Sequence, residues 1–215
     1  MMPRRSPRAR ILAVLLAGAC LLGADFGRPD PATLTLGKTT EQEIRARFGQ
    51  PGGQGVNQVG ERLVTTLRYT YAEPRSAAVP VRTMSYSSHE GRLVGFDYVS
   101  SFEADRTGFD ETAAKQIKRG ESTRAQVLAL VGKPTGQYIY PSPYATTPGQ
   151  HSDTYSSLHN EKLPPGNTIE TTARILTVTF DQHDVVLETN LVTTTSRKTL
   201  MVSPGARHPL PGGLS

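Results

Sequence analysis

The stretch Leu36-Gly37-Lys38-Thr39-Thr40-Glu41-Gln42-Glu43-Ile44-Arg45-Ala46-Arg47-Phe48-Gly49-Gln50-Pro51 is matched, 83 residues on and without a gap, by Arg119-Gly120-Glu121-Ser122-Thr123-Arg124-Ala125-Gln126-Val127-Leu128-Ala129-Leu130-Val131-Gly132-Lys133-Pro134. Gly37, Thr40, Ala46, Gly49 and Pro51 recur as Gly120, Thr123, Ala129, Gly132 and Pro134, while Glu43 becomes Gln126 and Ile44 becomes Val127. Each copy specifies a helix at both ends. Thr40 and Thr123 are placed to cap the first turn, whose backbone N–H groups lack partners, and Glu43 and Gln126 complete capping boxes. Ile44, Arg47 and Phe48, and in the second copy Val127, Leu130 and Val131, fall on one helical stripe, with Arg47 lying along it by its stem. Gly49 and Gly132 suit the turn that ends the helix, and Pro51 and Pro134 stop it from resuming. Gly37 and Gly120, three residues before the caps, mark the turn into it.

Around these helices the pattern reads as a duplicated unit. Asp110 to Lys118 reads as a short helix ahead of the second copy, and Asp30 to Thr35 is its weaker counterpart. After the first copy, Arg62 to Tyr71 alternates through Leu63, Thr65, Leu67, Tyr69 and Tyr71, a half-buried strand. Val81 to Ser87 and Leu93 to Phe102 flank a hairpin turn at His89-Glu90-Gly91-Arg92. After the second copy come Gln137 to Tyr140, Ala173 to Phe180 and Val185 to Thr195. The order helix, helix, three strands, given twice, predicts an α+β fold of tandem repeats over residues 34–105 and 110–198, with helices packed on antiparallel sheet. The second repeat carries a long connection, 141–172, rich in Pro, Ser, Thr and Tyr, which is expected to be a loop. The 203–215 tail is expected to be unfolded.

The start of the chain reads as an address. Met1 to Arg10 carries four arginines and no acid, and Ile11 to Ala19 is an apolar run ending in small residues, the pattern of a signal peptide over residues 1–19. Leu16-Ala17-Gly18-Ala19-Cys20 resembles a bacterial lipobox, with cleavage between Ala19 and Cys20 and lipid on Cys20, the chain's only cysteine. Residues 20–33 would then be a lipid-anchored linker. Ala17-Gly18-Ala19 also fits ordinary secretion. The address holds four of the 24 basic residues, so the net charge of +5 falls to +1 without it. The basic balance therefore gives no support for nucleic-acid binding.

The pattern Leu-Gly-x-Thr-x-x-x-(Ile or Val)-x-x-x-(apolar)-Gly-x-Pro behind such a signal resembles the SmpA/OmlA family, also called BamE, of outer-membrane lipoproteins. The resemblance is strongest over Leu34 to Pro51 and Ile117 to Pro134. It implies two helices on a three-stranded sheet, a location at the periplasmic face of the outer membrane, and envelope or outer-membrane proteins as partners. Tandem copies are also similar to the β-lactamase-inhibitor-protein fold, which implies the alternative of a secreted inhibitor or binding module without lipid. The motif specifies a helix and performs no chemistry, so it bears on fold more than on function.

An enzyme needs a gathered constellation of groups, and the candidates are few. His151, Asp153 and His159 in the long connection could hold a metal, but their spacing matches no metal motif. His89 with Glu90 and His183 with Asp184 recur at hairpin turns, where turn chemistry accounts for them. No Gly-x-Ser-x-Gly elbow or Walker loop is present. The reading is a non-enzymatic protein without cofactor or metal. Tyr138, Tyr140, Tyr144 and Tyr155 concentrate in the second repeat and are the candidate partner-binding residues, because tyrosine offers a rigid contact area with a polar tip.

Overall fold

The computed structural model describes residues 33–73, 80–164 and 168–199. The 1–19 segment with Ala19, Cys20, nearly all of the 20–33 linker and the 203–215 tail lie outside the described residues. The first copy of the repeated phrase forms α1 (Glu41–Phe48), followed by β1 (Gly53–Val59), β2 (Arg62–Ala72), β3 (Val81–His89) and β4 (Arg92–Ser100). A 3-10 turn at Glu103–Asp105 leads to α2 (Glu111–Ala114) and α3 (Arg124–Val131), then β5 (Gly136–Ile139), β6 (His151–Leu163), β7 (Thr168–Phe180) and β8 (Val186–Thr199).

Both α1 and α3 are closed by capping boxes. The Glu43 N–H donates to Thr40 Oγ1 at 3.2 Å and the Thr40 N–H to Glu43 Oε2 at 2.7 Å. The Gln126 N–H donates to Thr123 Oγ1 at 3.4 Å and the Thr123 N–H to Gln126 Oε1 at 2.9 Å. Gly49 and Gly132 end the helices at φ 74 and 85, where a side chain would be strained. Asp110 caps α2 by accepting from the Thr112 and Ala113 N–H groups.

The segments leading into α1 and α3 are wired alike. Gly37 N–H donates to Leu93 O, Leu93 N–H to Thr39 O and Glu41 N–H to Gly91 O, at 2.7, 2.8 and 2.8 Å. The second half answers with Gly120 to Val186, Val186 to Ser122 and Arg124 to Asp184, at 2.8, 2.9 and 2.8 Å. In each half, then, the entry to the helix is tied to the start of the fourth strand. Leu93 and Val186 themselves point into the core beside Ile44 and Val127.

The expected α+β architecture of helix-helix-three-strand repeats is not what the chain forms. All eight strands pair in sequence order, each antiparallel to the next, in one sheet. Each half contributes four strands, and the helices are short, at 8, 4 and 8 residues. Two strands account for the difference. β1 is an edge strand with only its last residue, Val59, buried, so it shows no apolar alternation. β6, together with the start of β7, occupies much of the expected 141–172 loop. Its polar sequence reads as loop because one of its faces buries hydroxyls, at Ser152, Thr154 and Ser156, in place of apolar side chains.

The helices cover one face of the sheet. α1 sets Ile44 and Phe48 on Leu67, Tyr69, Met84, Tyr86, Phe96 and Tyr98, and α2 and α3 set Ala114, Val127 and Val131 on Tyr155, Leu176, Val178 and Phe180. Arg47 lies over the Phe48 ring, its guanidinium carbon 5.2 Å from the centroid. The opposite face carries a small apolar cluster at one end, Val59, Val64 and Val94 with Ile139, and a band of hydroxyls where the two halves join.

Candidate functional site

That join is narrow because β5 is four residues long and pairs with β4 only through Gly95–Tyr138, Phe96–Gln137 and Asp97–Gly136. Side chains are excluded at two of these positions. A Cβ on Gly136 would lie 2.3 Å from the Phe96 carbonyl oxygen, and one on Gly95 would lie 1.9 Å from the Tyr138 ring. The Tyr138 ring therefore lies flat across the strand beside it.

Next to this seam the open face holds Asp97. Its carboxylate accepts from Thr135 Oγ1 at 3.0 Å, Thr154 Oγ1 at 3.1 Å and Ser156 Oγ at 3.1 Å. The residue as a whole is half-buried, and no cation accompanies it among the described residues. Enclosure of the carboxyl outweighs these donors and the Tyr98 N–H, and its pKa is raised above the ordinary 3.8.

The β5–β6 connection folds back over the same face. Ser142 and Ala145 exchange backbone hydrogen bonds at 3.0 and 3.1 Å. Ser152 Oγ and Thr179 Oγ1 both donate to the Tyr144 carbonyl, the latter at 3.1 Å, and Gln150 Oε1 accepts from the Thr146 and Thr147 N–H groups. The Tyr144 ring meets Tyr138 edge-on with centroids 4.7 Å apart and remains 38% exposed. Burial, with Asp97 nearby, raises the pKa of both phenols, so each stays a protonated donor at neutral pH. Tyr144 forms one wall of an open cavity of about 430 Å³ lined also by Arg119, Gln150, Thr177, Glu188 and Asn190.

The four candidate tyrosines thus separate. Tyr138 and Tyr144 meet edge-on in the seam, with Tyr138 5% exposed. Tyr140 stands apart, its hydroxyl accepting from Arg62 Nε at 2.8 Å while the guanidinium carbon lies 5.3 Å from the ring centroid. Tyr155 is on the helix-covered side, 0% exposed and in edge contact with Phe109. Of the four, Tyr144 is the most exposed, Tyr140 is half-buried, and Tyr138 and Tyr155 are buried.

His151 and Asp153 are committed elsewhere, and His159, further along β6, is exposed. Asp153, 1% exposed, sits in the fork of Arg124, accepting from Nε at 2.8 Å and Nη2 at 3.0 Å. His151 stacks on Phe180 and faces Asp184 at 2.8 Å. Among the described residues no three His, Cys, Asp or Glu side chains gather as a metal site. Sequence reading missed Asp97, Arg119, Thr179 and Glu188. The single available signal was the Ser152-x-Thr154-x-Ser156 alternation, which is a strand pattern written in hydroxyls.

No protein-family model matches the chain, that of SmpA/OmlA included, and no curated protein matches it. Among solved structures it is similar to a crystal structure from Streptococcus mutans described as a candidate β-lactamase inhibitor protein. The match has 12% sequence identity and a TM-score of 0.35, over 72% of this chain and 82% of that one. A likeness of this degree carries no argument about what the present protein does.

Proposed function

We propose that this protein is a non-enzymatic module that binds another protein on the open face, with Tyr144 as the central contact and the adjoining cavity as the receiving surface. The observation that supports the reading is the way Tyr144 is held. An aromatic ring 38% exposed is fixed from below by Tyr138 and at its carbonyl by hydroxyls from two strands, β6 and β7. A partner meeting it would encounter an anchor already ordered, so little side-chain freedom remains to be lost on binding. Pro143 and Gln150 frame it, and Arg119 and Glu188 place opposite charges on the cavity wall. The test is affinity isolation from cells that produce the protein. Tyr144→Ala should lower the partner's yield by at least about tenfold, the loss typical of a binding hot spot, while Lys133→Ala, outside the site, leaves it unchanged. Equal yields from the two variants would move the site elsewhere.

The location follows from the 1–19 segment and Cys20. The reading is a lipoprotein of the bacterial outer membrane facing the periplasm, with envelope proteins as partners in outer-membrane assembly or maintenance. The competing version is a secreted inhibitor-like module. Mass spectrometry of the mature N-terminus separates them, because the lipoprotein begins at Cys20 with acyl groups attached and Cys20→Ser releases it from membranes.

A further inference from the structure

The strand β8 runs for 14 residues at the end of the sheet, paired on one side with β7. From Glu188 to Thr199 every residue is exposed, and among the described residues nothing pairs with its outer edge. Edge strands that remain unpaired are usually blunted by proline, bulges or inward charge. This one has no proline, and the run Thr189-Asn190-Leu191-Val192-Thr193-Thr194-Thr195-Ser196 carries no charge. Leu191 and Val192, 40% and 47% exposed, stand on its two faces. The other edge strand, β1, has half the length and three glycines or amides ahead of its first valine.

We propose that β8 is the interface of a two-fold symmetric homodimer, in which two copies pair their β8 edges antiparallel about Thr193 and join their sheets into one. Directly opposite residues of an antiparallel pair share a face, and a two-fold axis normal to the sheet keeps each face on its own side. The axis must therefore pass a residue and its own mate. Centring it on Thr193 brings Glu188–Lys198, beyond the bulge at Leu187, into register. Glu188 then lies opposite the mate's Lys198, twice by symmetry, and Val192 lies opposite the mate's Thr194.

The charges select this register. Among the described residues neither Glu188 nor Lys198 has an ion-pair partner within its own chain. Moving the axis one residue toward Val192 sets Glu188 against Ser196, and moving it toward Thr194 carries Glu188 beyond the end of the strand. Arg197 is already held by Glu170 at 2.6 Å, so it adds no competing demand. A second copy is thus the occupant that the strand's own sequence complements. An unrelated extended peptide would match the backbone edge without using the placed charges.

The test uses the protein carrying Cys20→Ser, which removes the chain's only cysteine. Thr193→Cys in that background should give a covalent dimer under mild oxidation, because opposite residues of an antiparallel pair have Cα atoms about 4.5–5.5 Å apart, within disulfide reach. Thr189→Cys, whose mate would be Arg197, should not. In sedimentation velocity the parent should dimerise, Glu188→Lys or Lys198→Glu should weaken association by about tenfold, and the double exchange should restore it. A parent that stays monomeric at about 100 μM, far above the affinity of a specific dimer, overturns the proposal. So does dimerisation indifferent to the charge exchange, or crosslinking through Thr189→Cys as readily as through Thr193→Cys. Glu188 also lines the Tyr144 cavity, so Lys198→Glu and the Thr193→Cys crosslink are the readouts that stand apart from the partner site.

Discussion

Arg124→Ala removes the cation that holds β6 to α3. Asp153 is 1% exposed, and of its three side-chain donors two, at 2.8 and 3.0 Å, belong to Arg124; the third, Gln137 Nε2, is at 3.4 Å. Truncation leaves a buried carboxylate with one long neutral hydrogen bond. Breaking a buried pair in this way costs about 3–5 kcal/mol, and because the Arg124 side chain is 27% exposed the lower end applies, about 3 kcal/mol. For a chain of this size that loss lowers Tm by about 6–12 °C. Urea unfolding should show the midpoint falling with an unchanged slope. Asp153→Asn, which removes the charge and keeps a polar group for Gln137, should cost less. The double variant should then recover part of the loss, with a coupling of about 2 kcal/mol. A cost below about 1 kcal/mol for Arg124→Ala is the value of an exposed pair, and it would refute the seating of β6 inside the sheet beneath α3.

Thr123→Ala removes the capping hydroxyl and leaves Gln126 half a box, so it should cost about 1 kcal/mol by urea unfolding, with Thr40→Ala alike. Gly136→Ala forces a Cβ to 2.3 Å from the Phe96 carbonyl and should cost about 1–3 kcal/mol. At Gly53, the equivalent position 83 residues earlier in the repeat, the nearest atom would be 3.9 Å away, and the same change should stay within about 0.5 kcal/mol. Asp97 holds its proton more tightly folded than unfolded. Its contribution to stability is therefore greatest below the unfolded value of 3.8 and is lost as pH rises through the raised folded value. Asp97→Asn has no such loss, so its stability relative to the parent should improve as pH rises through that window, as measured by urea unfolding at stepped pH.

The helices were legible because their signals are local. Thr40, Glu43, Gly49 and Pro51, and their copies, each act within one turn of chain, so reading them needs no knowledge of the sheet. The strands were legible where one face is apolar, as in Leu67 and Tyr69 or Leu176 and Val178. β1 and β6 were not, for opposite reasons: β1 has no buried face, and β6 buries one made of serine and threonine. The merging of the halves was also hidden. It depends on Gly95 and Gly136 letting β4 and β5 approach, and a glycine in a strand looks the same in sequence whether it admits a neighbour or marks a turn. The tyrosine cluster was read as one group, and the structure divides it between the two faces of the sheet. Which ring faces outward was set by β6 parity, which placed Tyr155 opposite Tyr144.

A photocrosslinking side chain at position 144 tests the central claim most directly. With a benzophenone residue replacing Tyr144, irradiation of cells producing the protein should yield a discrete protein adduct, and its mass should differ from twice that of the chain. The same probe at Leu63, 62% exposed on the helix-covered side of the first half, should not yield it. No adduct from position 144, or the same adduct from Leu63, would contradict a binding surface centred on Tyr144.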